Sequence, residues 1–288
     1  MTYWDQALAD QATKMHAHLM ATEPELGSRI RIERDQEKLR RDHWVNGALM
    51  ATLTTNAASL WPYKLIAFIV ERAIKAGHLN VQTHTPVTGI EDCTSPSKSA
   101  RWRLHTDRGN IEARHVILAT NGYTSHLLPD FKDLIVPERG EMSALLPPKN
   151  CTRLPNSYGF NGGDREIHDV DDYLNQRPFS GVPNPAGHLM FGGGKGSATE
   201  PSVGISDDSI IDEGSAAYLR RELLHLLKLD GETEGLRELE ATHQWSGIWG
   251  TSRDHHPWVG AVPRQKGVWL AGGYSGKSII SNPSHWLS

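Results

Sequence analysis

Apolar positions recur at helical spacing in several stretches of the chain. Residues 2 to 22 read as a helix capped by Thr2 or Asp5, with Trp4, Leu8, Met15 and Leu19 near one face and Pro24 and Gly27 ending it. Between 28 and 45, Ile30 and Ile32 alternate with Arg29, Arg31 and Glu33, which predicts a short strand and then a polar helix. The clearest helix runs from 62 to 76. Pro62 suits its first turn, Leu65, Ile66, Ile69, Val70 and Ile74 form its apolar stripe, and Gly77 stops it. A last helix is expected over 207 to 228, capped by Asp207 or Asp208, with Ala217, Leu219, Leu223, Leu224 and Leu227 apolar.

Strand patterns lie between these helices. Leu79 and Val81 alternate within 78 to 83, and Pro86 to Ile90 opens another strand. Trp102 and Leu104 alternate ahead of a turn at Asp107-Arg108-Gly109-Asn110. His115 to Thr120 and Val268 to Ala271 are short continuous apolar runs, the pattern of parallel strands buried on both faces. Met142 to Leu145 and His188 to Phe191 suit an antiparallel sheet, with Gly192-Gly193-Gly194 as a flexible break, and Trp245, Ile248 and Trp249 suit a further strand. Parallel-type strands far apart in sequence, with a Gly-rich antiparallel block between them, predict two domains whose chain crosses back and forth. Gly231, in a loop after the last helix, is expected to tolerate substitution at a cost of about 1 kcal/mol.

A net charge of -4 offers no basic footprint, so nucleic acid is not an expected partner. No apolar run reaches the roughly 18 residues of a membrane span. The first twenty residues, with Asp5, Asp10 and Lys14, hold no secretory core. Cys93 and Cys151 suit a reducing compartment, so a cytoplasmic location is expected, and the sequon at Asn150-Cys151-Thr152 is read as chance. No histidine or cysteine spacing predicts a metal site. Ser252, Asp254 and His255 are too close in sequence to form a catalytic triad, and no G-x-S-x-G elbow or phosphate-binding Walker loop is present.

Three stretches carry a family resemblance. The first is Ala119-Thr120-Asn121-Gly122-Tyr123 at the end of a buried strand. The second is Leu79 to Ile90, which contains Val87 and follows the helix opened by Leu60-Trp61-Pro62-Tyr63. The third is Trp245 to Pro263, followed at a fixed interval by Val268-Trp269-Leu270-Ala271-Gly272-Gly273-Tyr274-Ser275-Gly276. Together they resemble the D-amino-acid oxidase (DAO) superfamily of FAD-dependent oxidoreductases, gamma-glutamylputrescine oxidase-like proteins in particular.

The resemblance implies an α/β (or α+β) fold, the remnant of a FAD-binding Rossmann-like domain interleaved with an antiparallel-sheet substrate domain. Cofactor-side segments would cover about 62–136 and 264–288, and substrate-side segments about 1–61 and 137–263. Val87 would meet the adenine. Ala119, Thr120, Asn121, Gly122, Gly272, Gly273, Tyr274, Ser275 and Gly276 would approach the flavin, with backbone N–H groups favouring charge on the reduced ring. Arg253 would hold a substrate carboxylate, and Tyr123 or Tyr274 would wall the substrate. The implied substrate is a small amine or amino acid, oxidised at its C–N bond; no catalytic acid or base is singled out.

Two departures qualify this reading. No G-x-G-x-x-G is present, so the pyrophosphate would lack its helix N-terminus. Beyond Gly276, where the resemblance implies Gly, Met and a long helix, stand Lys277-Ser278-Ile279-Ile280 and then Pro283. The expectation is a form truncated at both ends, with reduced or no activity and weak flavin binding. The alternative is a non-catalytic remnant that binds a partner or small ligand.

Overall fold

The computed structural model describes residues 1–93, 101–162, 171–182 and 186–276. The expectations for 277 to 283 fall outside them. In chain order the elements are β1 (Thr2–Tyr3), α1 (Gln6–Thr22), α2 (Pro24–Gly27), β2 (Ile30–Glu33), α3 (Gln36–Asp42), β3 (Met50–Thr54) and α4 (Pro62–Lys75). Then come β4 (Val87–Asp92), β5 (Trp102–Thr106), β6 (Gly109–Ala113), β7 (Val116–Leu118), α5 (Thr124–Leu127), β8 (Ile135–Leu145), β9 (Tyr158–Asn161), β10 (Asp171–Gln176) and β11 (Leu189–Gly193). The last are α6 (Glu213–Leu226), β12 (Ala241–Ser252), β13 (Trp258–Ala261) and β14 (Val268–Gly272). The fold class is mixed α/β, as expected. Two compact units share the chain. One takes Met1–Ser59, Gly140–Ser202 and Asp208–Gly247; the other takes Leu60–Arg139, Val203–Asp207 and Ile248–Ser288. The segment assigned by sequence to the substrate side, 137–263, is thus divided between both.

The first unit is built on a sheet of order β12-β8-β11-β10-β9-β1-β3-β2. Neighbours among β8 to β11 pair antiparallel, as the alternating patterns there predict. Phe160 anchors the core. It stacks on Tyr158 (5.7 Å, 11°) and meets Phe191 edge-on (5.9 Å, 89°). The helix α6 lays Leu219, Leu223 and Leu226 into the same cluster. Burying each such side chain contributes about 1.5–3 kcal/mol.

Four local readings are corrected. The first helix starts at Gln6, with Asp5 as its cap. Thr2 and Tyr3 instead form a strand, because β3 and β9 bond them from both sides. Residues 78 to 83 form no strand: Arg108 reaches the Thr83 carbonyl, Gln82 donates to Asn80, and Leu79 and Val81 are exposed. Gly192-Gly193-Gly194 is not a flexible break. Gly192 and Gly193 belong to β11, the Gly194 N–H donates to buried Asp172, and the Ser215 hydroxyl donates to the Gly194 carbonyl.

The fourth correction concerns α6, which is capped by Asp212 rather than Asp207 or Asp208. Ser246 donates to the carbonyls of Asp208 and Ile210 and holds that stretch outside the helix. The Asp212 carboxylate accepts from the backbone of Ser215, Thr199 and Glu200 and from the Thr199 hydroxyl. Burial alone would raise its pKa; these hydrogen bonds overcome that and pull it down to about 2. Asp212→Ala should therefore cost roughly 2–4 kcal/mol in urea denaturation at neutral pH. The folded value lies below the unfolded one, so the carboxylate's contribution is complete above about pH 4 and fades as pH falls towards 2. A gap between parent and variant that stays constant down to pH 2 would contradict this.

The second unit holds two three-stranded sheets, β4-β5-β6 and β13-β14-β7. The two apolar runs that sequence reads as parallel strands do pair in parallel, with Val268 opposite Val116 and Leu270 opposite Leu118. Those four side chains are buried on one face of the sheet. On the other face Ile117 is 71% exposed and its register partner Trp269 is 45% exposed. The helix α4 forms where predicted, yet none of its residues is buried. Its stripe stands open, with Ile66 at 58% and Ile69 at 52% exposure.

Candidate functional site

Parallel pairing brings the two C-terminal ends of β7 and β14 to one edge of their sheet. Those ends run into the two segments singled out by sequence, 119–123 and 272–276. Asn121 joins them. It adopts φ 43°, a region where asparagine is among the few tolerated side chains. Its Oδ1 accepts the N–H groups of both Gly273 (3.0 Å) and Tyr274 (3.2 Å). The Thr124 hydroxyl, 3.0 Å from that of Thr120, donates to the Asn121 carbonyl. On the far side of the loop the Ser275 N–H donates to the Gly250 carbonyl, and the Ser252 N–H donates to the Ser275 hydroxyl.

Close packing fixes two glycines. A Cβ on Gly122 would stand 2.6 Å from the Trp249 carbonyl oxygen, and one on Gly250 would stand 2.7 Å from the Gly122 nitrogen. Strand β12 and the Asn121 turn thus touch backbone to backbone, which side chains at these positions would prevent. Gly273 (φ 70°) faces Ser252 and Ile135, whereas a Cβ on Gly276 (φ 76°) would meet none of the described residues within 4 Å.

The other sequence candidates lie around this clasp or apart from it. Ala119 is exposed and Thr120 partly so. Tyr123 is exposed next to buried Gly122. Val87 starts β4 in the other sheet of the unit, opposite Thr106 and next to a bulge before Gly89. Arg253 is exposed in the turn after β12, where its N–H donates to the Leu134 carbonyl. In that turn Asp254 Oδ1 accepts from the Ser252 hydroxyl, the His256 N–H and the Trp258 indole. The backbone bond from His256, then the Trp258 bond, holds its pKa below the ordinary carboxylate value. The Ser, Asp and His of this segment therefore tie a turn together and do not form a catalytic relay.

Sequence reasoning missed one group. Glu138 and Arg139 of β8 are buried, and the Thr251 hydroxyl donates to Glu138 at 2.7 Å. The signal was available in the run Pro137-Glu138-Arg139-Gly140-Glu141: three charges leading into a strand pattern are costly to bury and seldom incidental. Among the described residues, no cluster of histidine, cysteine or carboxylate side chains could hold a metal.

A flavin fits these residues only in part. Open backbone at Gly276 suits the approach of a flat ring. The N–H groups of Gly273, Tyr274 and Ser275 do not suit the charge-stabilising role expected of them, because Asn121 and Gly250 already accept all three. The fit of these residues is therefore steric, at Gly276, and not electrostatic at Gly273, Tyr274 and Ser275.

Comparison with known proteins places the fold. Glycine oxidase from Geobacillus kaustophilus superposes with a TM-score of 0.70 at 19% identity, over 95% of this chain and 64% of that one. L-proline dehydrogenase from P. horikoshii gives 0.67 at 15%, over 96% and 66%. Iminodiacetate oxidase from Chelativorans sp. BNC1 gives 0.63 at 15%, over 99% and 73%. The chain thus spans slightly less than two thirds of the length of the first two. No curated protein sequence matches it. The family described as DAO, FAD dependent oxidoreductase, matches residues 1–284, and the chain belongs to that family.

Proposed function

We propose that this chain forms the substrate sheet and part of the cofactor side of an oxidoreductase acting on the C–N bond of a small amine or amino acid. The observation that supports it is the clasp: Asn121 fastens the ends of two parallel strands, and those ends carry two of the stretches that resemble the family's motifs. A bound FAD would supply the hydride-accepting chemistry. This chain's own residues would set the shape of the site. Asn121 fixes the 272–276 loop, the Gly122 and Gly250 contact fixes β12 against it, and Tyr123 and Arg253 supply an exposed ring and an exposed cation for substrate. A second reading is supported by the N–H groups already taken within the protein. On that reading the 288-residue chain is a non-catalytic remnant, or retains flavin only with help.

The two readings separate in one experiment. The chain and a fusion carrying an N-terminal βαβ unit with a Gly-rich loop are each dialysed against FAD. The chain alone should hold far less than one flavin per molecule. The fusion should hold flavin, and under anaerobic conditions amines or amino acids should bleach it while 2-hydroxy acids do not. Bleaching by hydroxy acids alone would refute the C–N assignment. Stoichiometric flavin in the unfused chain would show that the site is complete without the added unit.

A further inference from the structure

We propose that the hollow beside Tyr123 binds a compact anionic group, the carboxylate or phosphate end of a small molecule. The hollow measures about 580 Å³, within the usual ligand range of roughly 300–1,000 Å³. Its lining includes Lys132, His126, Tyr123, Ser125, Ser206 and Pro137, and no carboxylate. One permanent cation, one imidazole and the hydroxyl groups of Ser125 and Ser206 thus line the hollow, and no carboxylate lines it with them. The nearby Asp130 is engaged by Arg264, while Lys132 forms no ion pair among the described residues.

Its walls are held in place. Tyr123 follows the Asn121 clasp, and its N–H donates to the Thr120 carbonyl. Ser125 and His126 lie on α5, whose first residue, Thr124, bonds back to Asn121. The Lys132 N–H donates to the Pro129 carbonyl. The segment carrying Ser206 is fastened to β8, since Gly204 donates to the Pro137 carbonyl and Val203 bridges to Glu138. A ligand entering here would meet donors set by backbone that is already ordered, which reduces the entropic cost of binding. The proposal does not require the flavin.

Isothermal titration with inorganic phosphate and, separately, with succinate tests it, each at an ionic strength matched with sodium chloride. One saturable site is expected for at least one anion, and the stronger arm identifies the group. Lys132→Gln should weaken that binding about tenfold or more, as loss of a charged hydrogen bond does. His126→Gln should weaken it by a smaller factor, and Lys14→Gln, on exposed α1, should leave it unchanged. Circular dichroism melts that match the parent would show that the exposed substitutions leave the fold intact. No saturable binding of either anion, or equal affinity for the parent and Lys132→Gln, would overturn the proposal.

Discussion

Gly193→Ala is expected to destabilise the first unit by more than about 3 kcal/mol. Gly193 ends β11 at φ 130°, a conformation that disfavours any residue with a Cβ. An added Cβ would overlap Asp172 Oδ1 and stand 2.6 Å from its Cγ and 2.9 Å from its Cα. That carboxylate cannot simply swing aside. It is buried, accepts the Gly194 N–H at 2.8 Å, and accepts the Tyr218 hydroxyl of α6 at 2.6 Å. Displacing it would leave a buried charge short of partners, which typically costs 3–5 kcal/mol. Gly247→Ala is the control, since its Cβ would meet nothing within 4 Å and its φ is ordinary; it should stay within about 1 kcal/mol of the parent. Equal urea midpoints for Gly193→Ala and Gly247→Ala would mean that Asp172 is free to move. Gly231, which sequence alone treats as tolerant, is a poor control. It adopts φ 88°, and a Cβ there would overlap the Lys149 carbonyl and stand 2.8 Å from the Cys151 nitrogen.

The purified 288-residue chain should self-associate. Parallel strands are normally covered on both faces, yet Ile117 and Trp269 stand open on one face of the β7–β14 pair. The sheet ends at β7, so among the described residues no strand pairs with its outer edge. The open stripe of α4 adds apolar surface to the same unit. Each Å² of such surface removed from water favours association by about 25 cal/mol, so several hundred Å² must be covered to offset the roughly 4–15 kcal/mol that association costs. Sedimentation velocity should show mass rising with concentration. Ile117→Lys combined with Trp269→Lys should weaken association about tenfold or more with little change in melting temperature, because both side chains are exposed. Fusing a βαβ unit should act in the same direction. A monodisperse monomer with a sharp cooperative melt would rule this out.

Much of the framework was legible because burial leaves a period in the sequence. That β7 and β14 are parallel strands follows from two continuous apolar runs, though their pairing with each other comes from the structure, and α4 follows from its stripe. The stripe fixes the helix but not what covers it, which is why its exposure came only from the structure. Strand β1 was hidden because two residues carry no period, and its pairing depends on β3 and β9. The competition among Asp207, Asp208 and Asp212 to cap α6 was decided by Ser246, more than thirty residues away. In the candidate site, resemblance points to Asn121 and 272–276, while the hydrogen bonds that join them come only from the structure. Two N–H groups expected to face a cofactor are bound by one side chain, and no local pattern announces a bond to such distant backbone.

The Asn121 bond to Gly273 spans 152 positions of sequence. On a ribosome adding about 5–20 residues per second, β7 would emerge roughly 8–30 s before the strand it pairs with. For that interval Val116, Ile117 and Leu118 lack β14, their pairing strand among the described residues, while much of the first unit's sheet is already being synthesised. The clasp therefore closes only long after the Asn121 turn has left the ribosome.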